Sequence, residues 1–217
     1  MRRNFIYLVS VSIILLFSIG CTDSTPEEPP KLEIISEKFE DLHAPVLGGR
    51  EAETPLSGPF VKFSFRERAV TTNENKWDIA FRGTTILVNG GTKVEFLEEP
   101  NRTGNAAGYI QNGVFGGITS VSSSRFKQDS TAEYAIPGGS DNGWYNYVGA
   151  PTHVINPIPG NILIFRTHDN RFVKMEILSY YKGAPEQPIA LGPRAHQDAT
   201  YTFRYVYQPN EDVTTFD

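Results

Sequence analysis

From about residue 32 onward, apolar and polar side chains alternate in a two-residue period, the mark of pleated strands whose successive side chains face opposite sides. Leu32-Glu33-Ile34-Ile35 opens the pattern. In residues 60–65, Phe60 falls out of step with Phe63 and Phe65; in residues 77–81 the period sets Trp77, Ile79 and Phe81 on one face. Residues 85–88 run into Asn89-Gly90-Gly91, which accept positive φ cheaply and predict a turn. The clearest hairpin spans residues 161–181. Ile162, Leu163, Ile164 and Phe165 make a strand apolar on both faces, as a central strand is. Thr167-His168-Asp169-Asn170 supplies the turn, and the return strand sets Val173, Met175 and Ile177 against Lys174 and Glu176. A last strand sets Tyr201, Phe203, Tyr205 and Tyr207 against Thr202, Arg204 and Val206.

No window of a dozen residues carries a 3.6-residue period; residues 37–42 admit weak helical turns at most. Residues 104–149 are rich in Gly, Ser and Asn, with Tyr109, Phe115, Phe126, Trp144, Tyr145 and Tyr147 scattered among them. They form either loop-rich decoration or short strands crossing between sheets. The fold class is all-β, in a single domain of the β-sandwich type.

The first residues read as an address. Arg2 and Arg3 precede an apolar run from Phe5 to Ile19 and then Gly20-Cys21, the layout of a secretory signal peptide. The run is shorter than the roughly 20 apolar residues a membrane span needs. Ser18-Ile19-Gly20-Cys21 resembles the lipobox of bacterial lipoproteins, in which the cysteine becomes the lipidated N-terminus, although Ser18 departs from the usual Leu. The expected organisation is therefore a signal peptide at 1–20, lipidated Cys21 with a tether to 31, and the all-β domain at 32–217. Prolines at 26, 29 and 30 make the tether semi-extended. Acidic residues just after the cysteine (Asp23, Glu27 and Glu28) resemble the surface-export signal of some Gram-negative lipoproteins. These resemblances imply a lipid-anchored protein of the outer membrane, expected at the cell surface, with the orientation of the anchor left open between periplasm and exterior.

Charge and composition exclude several classes. Twenty basic against 25 acidic residues give a net charge of −5, and losing Arg2 and Arg3 with the signal makes it −7. Such a surface does not displace counterions from phosphates, so no nucleic-acid partner is expected. A single cysteine leaves no internal disulfide, Cys-based zinc site or iron–sulfur cluster. Catalytic motifs are missing as well: there is no Gly-x-Ser-x-Gly elbow, and His43, His153, His168 and His196 are too widely spaced for a His-Glu-x-x-His site. Asp78, flanked by strand apolars, reads as the solvated side of its strand, and Asp141-Asn142-Gly143 as an ordinary turn. The chain is expected not to be an enzyme.

Residues 77–82, 152–155, 161–167, 171–181 and 201–207 together resemble the HmuY family, Gram-negative outer-membrane lipoproteins of which several bind heme and pass it to a TonB-dependent receptor. The resemblance covers roughly residues 32–208. It implies an all-β HmuY-like domain and heme held between two axial ligands in an apolar cleft. His153, in a loop bracketed by Pro151 and Pro157, stands where the family's second histidine is expected. The first ligand is where the chain departs: residues 118–126 offer Ser and Thr, and Met175 falls in step with core positions. The heme-site residues expected are His153 as the iron ligand, alone or paired with Tyr134 or His196, with Trp144 and Tyr147 either lining the porphyrin pocket or packing in the core. Arg125 and Lys127 are the cations for the propionates, and His168 and His43 are surface residues. The alternative is the same scaffold without heme ligation, recognising a glycan, a peptide or a partner lipoprotein, since Tyr and Trp stack on sugars as well as on porphyrins.

Overall fold

The two-residue period closes into two packed sheets. The computed structural model describes residues 30–49, 53–94 and 98–216, and Lys31–Asp217 forms one compact unit. The larger sheet is antiparallel throughout, in the order β1 (Ile35–His43), β13 (Thr200–Gln208), β12 (Phe172–Ser179), β11 (Asn161–Arg166) and β8 (Ala107–Asn112). The smaller one runs β5 (Ala69–Val70), β4 (Val61–Ser64), β6 (Ile79–Arg82) and β7 (Thr85–Val88). Two ribbons accompany them, β2 (Leu47–Gly49) with β3 (Thr54–Ser57) and β9 (Tyr145–Tyr147) with β10 (Ile155–Pro157).

The core lies between the sheets and is largely aromatic. Tyr201, Phe203, Tyr205 and Tyr207 all point inward from β13, as their spacing predicts. Their rings meet those of the smaller sheet: Phe81 lies 4.6 Å from Tyr201, Phe65 5.1 Å from Tyr205, and Phe63 5.3 Å from Phe203, edge to face. Such pairs contribute about 0.5–1.5 kcal/mol each beyond their area burial. Val173, Met175 and Ile177 of β12 join this core, and β11 is buried on both faces as its unbroken apolar run requires.

Each sheet also has a covered outer face, and this is where alternation alone misleads. Lys174, on the polar side of β12, is only 6% exposed. Its ammonium donates to the carbonyls of Phe115 and Ile118 and lies over the Phe115 and Phe216 rings. Residues 113–127 thus roof the outer face of the large sheet, over Ile162, Ile164 and Tyr109. The glycine-rich middle of the chain resolves into one full sheet strand, β8, and this roof, with 3-10 turns at Phe115–Gly117 and Ser123–Arg125.

Two readings of the pattern need correction. Residues 37–42 are not helical turns but part of β1, paired with β13 in the register Glu37 to Tyr205 and Phe39 to Phe203. Their charged side chains hide the strand because β1 is a sheet edge, with a bulge between Phe39 and Leu42 where Asp41 takes a φ of 55°. Trp77 does not share a face with Ile79 and Phe81. The strand begins only at Ile79, after a bend at Asp78, and Trp77 packs with Phe60, Ala80 and Leu87 on the opposite face.

Candidate functional site

The end of β8, the turn at Ser123–Arg125 and the loop of residues 129–143 enclose an open groove in two adjoining halves. One half, about 600 Å³, is lined by residues that include Tyr109, Asn112, Arg125, Phe126, Lys127 and Asn161. The other, about 530 Å³, is lined by Val94, residues 130–134, Pro137, Gly138 and Asn142. Glu133, Pro137 and Asn142 line both, so the two adjoin at these residues. These volumes lie in the range of small-molecule sites.

A buried polar cluster fixes the loop that forms one wall. Asp129 accepts the Val88 N–H at 2.9 Å and the Ala135 N–H at 2.9 Å, tying the loop's start to β7 and to its own return. Arg102 donates to Asp129 at 3.0 Å and to Glu99 at 2.8 Å, with all three side chains at most 2% exposed. Glu99 also accepts the Val94 N–H at 3.0 Å and the hydroxyl of Tyr134. Burial pushes the Asp129 carboxyl up to about 6, outweighing the lowering effect of the Ala135 N–H, Arg102 and the Val88 N–H. Burial, and then the bond to Glu99, push the Tyr134 phenol upward too. Ionic clusters of this kind add little net stability; their effect is to fix one arrangement.

The groove's own charges balance. Lys127 pairs with Glu133 at 2.6 Å, and Arg125 donates to the Ile110 carbonyl at 2.6 Å while its guanidinium stacks 4.4 Å over the Tyr109 ring. Asp141 accepts from Asn146 and Ser140, both of which hold its carboxyl below the usual range. Asn112 donates to Asn161 at 2.6 Å, and Asn142 to the Gly138 carbonyl at 2.9 Å.

The residues singled out for heme are dispersed by comparison. His153 and Tyr147 do meet: the Tyr147 hydroxyl contacts His153 Nδ1, the rings being 5.9 Å apart, and Tyr147 is 43% exposed. Trp144 is 2% exposed, donates to the Thr84 carbonyl at 3.0 Å and packs on Tyr145, Tyr180 and Tyr201. It is a core residue, with no open face for a porphyrin. Tyr134 lines the groove, but its hydroxyl is engaged by Glu99. His196 closes a small loop, its Nδ1 accepting the Ile189 N–H at 3.0 Å. Among the described residues no contact joins Tyr134 or His196 to His153, and neither half of the groove includes His153. Of the residues singled out for heme, the structure thus brings only Tyr147 to His153. Arg125 and Lys127 do share one half of the groove. Cys21 and the signal segment lie outside the described residues.

Asp78 and His168, expected at the solvated surface, are instead largely enclosed. Asp78 is 1% exposed and accepts the Phe65 N–H at 2.8 Å, the His168 N–H at 3.0 Å and His168 Nδ1 at 2.7 Å. With Asp169 these side chains bring three potential metal-ligand atoms within 4.8 Å of one another. The Asp78 oxygens are already occupied, however, and Arg66 pairs with Asp169, so the group serves as a clamp between the sheets. The cluster of Glu99, Arg102 and Asp129 left no trace in the sequence pattern, because its members stand in two loop segments 27 positions apart with no shared period.

No family model matches the sequence, and no curated protein matches it. Solved structures similar to the chain include an apo HmuY analog of Tannerella forsythia, at 10% identity and a TM-score of 0.47, covering 83% of this chain and 99% of that one. A Bacteroides fragilis protein assigned as a lipoprotein matches at 11% identity and a TM-score of 0.47, covering 83% and 94%. A Bacteroides vulgatus protein assigned as HmuY-like and heme-binding matches at 10% identity and a TM-score of 0.44, covering 83% and 97%.

Proposed function

We propose that this chain is a lipid-anchored, non-catalytic binding protein that holds a small polar ligand in the groove between β8 and the 129–143 loop, without ligating heme iron. Acylated Cys21 tethers it to the outer membrane, facing the cell exterior. The observation that carries this reading is that the two half-grooves adjoin at Glu133, Pro137 and Asn142, beside a wall held by buried Asp129. A site rigidly supported from below and lined by amides and paired charges suits recognition rather than reaction.

A second reading keeps heme, and with it transfer to a TonB-dependent receptor. Its support is the Tyr147 hydroxyl on His153 Nδ1, an arrangement that orients an imidazole and leaves Nε2 for a metal. Titrating heme into the detergent-solubilised full chain separates the two. The groove reading expects the spectrum of free heme; a Soret shift abolished by His153→Ala overturns it in favour of the second.

A further inference from the structure

We infer that the groove's ligand is a neutral oligosaccharide, an inference that rests on the groove reading above and names its chemistry. Three observations converge on it. First, the charges on the lining offset one another: Lys127 pairs with Glu133, and Arg125 shares the same half of the groove with Asp141. With two cations and two carboxylates on the lining, a ligand carrying net charge of either sign meets as many like charges as opposite ones.

Second, the hydrogen-bonding capacity left over has the form that sugar hydroxyls use. Asn112 and Asn142 each spend an amide N–H on the protein, which fixes the side chain, while neither Oδ1 accepts from the described residues. Glu133 Oε1 takes Lys127, leaving Oε2 as an acceptor, and the Lys127 ammonium retains two of its three donors. Acceptors and donors thus sit side by side on pre-oriented planar groups. A vicinal diol, each hydroxyl both donor and acceptor, can satisfy such a pair at once. Third, half-buried Phe126, stacked at 5.8 Å on Phe172, contributes an apolar surface to the half-groove that carries Asn112. The C–H face of a pyranose ring packs on such a surface while its rim of hydroxyls reaches the amides. The adjoining halves, about 600 and 530 Å³, extend this to more than one sugar unit.

The test uses the full chain in detergent, titrated by calorimetry with a panel of neutral hexose and pentose oligosaccharides (glucan, mannan, xylan and galactan fragments) and, in parallel, with a panel of uncharged tetrapeptides. Asn112→Ala and Asn142→Ala change exposed side chains, and circular dichroism checks that each variant folds. Binding of at least one oligosaccharide, weakened about tenfold by either variant and by Phe126→Ala, is the expected result. Peptide binding that responds to these variants, with no oligosaccharide bound, overturns the sugar assignment and leaves the groove reading standing. Oligosaccharide binding indifferent to all three variants overturns both, as does the absence of any binding from either panel.

Discussion

Asp78 and His168, ninety positions apart, meet at 2.7 Å, the imidazole of the β11–β12 turn held by a carboxylate at the foot of β6. The same carboxylate receives two backbone N–H groups, so one side chain clamps the hairpin turn of the large sheet onto the small sheet.

Removing that carboxylate exposes its cost. Asp78→Ala leaves the buried Phe65 N–H and the His168 N–H and ring without an acceptor, at about 1–3 kcal/mol for each orphaned group. The variant is expected to lose about 3 kcal/mol or more in urea denaturation. A loss below about 1 kcal/mol would mean that the turn finds other partners.

The clamp also makes stability depend on pH. The hydrogen bond to Asp78 raises the His168 imidazole above its ordinary value, against an opposing effect of burial. A raised value means that the folded state binds the proton more tightly. The stabilisation is therefore complete below the unfolded-state value of about 6.5 and is lost as pH rises through the higher folded value. The urea midpoint should fall across that window, and Asp78→Asn should flatten the fall. A wild-type midpoint that stays level there would show that the proton contributes nothing.

Asp129 gives a second window at lower pH. With its carboxyl at about 6 in the fold and about 3.9 unfolded, the folded state holds the proton more tightly. Its contribution to stability falls as pH rises from about 4 to about 6. Carboxyl carbon NMR should show one side chain titrating near 6, and that signal should vanish in Asp129→Asn. That variant should also be less stable, because an amide nitrogen would face the N–H donors that the carboxylate accepts. A midpoint near 4 would indicate that Arg102 dominates over burial.

The roof over the large sheet depends on Lys174. Lys174→Met keeps the length of the side chain but leaves the Phe115 and Ile118 carbonyls unsatisfied. Hydrogen exchange in residues 113–121 should quicken about tenfold or more, with β11 and β13 little changed. Exchange that accelerates equally everywhere would instead point to global destabilisation.

How much of this was legible depended on the kind of signal each residue sends. The inward faces of β12 and β13 could be read because Val173, Met175, Ile177 and the four aromatics of β13 repeat every second position along strands of eight and nine residues. Strand β1 was illegible because an edge strand needs only one buried face and carries charge on the rest. Tyr134 and Trp144 carried the right residue type for a ligand wall, but type does not reveal that one hydroxyl is already taken and one indole already enclosed.

Sequence alone settled what is periodic and local: strands, the turns between them and the all-β class, because pleating imposes its two-residue repeat on neighbouring positions. Tertiary structure decided which polar groups meet. Asp78 with His168, Asp129 with Val88 and Arg102, and Asn112 with Asn161 are joined across 90, 41, 27 and 49 positions. A buried carboxylate takes whatever donors packing brings to it, and no local pattern along the chain encodes that choice.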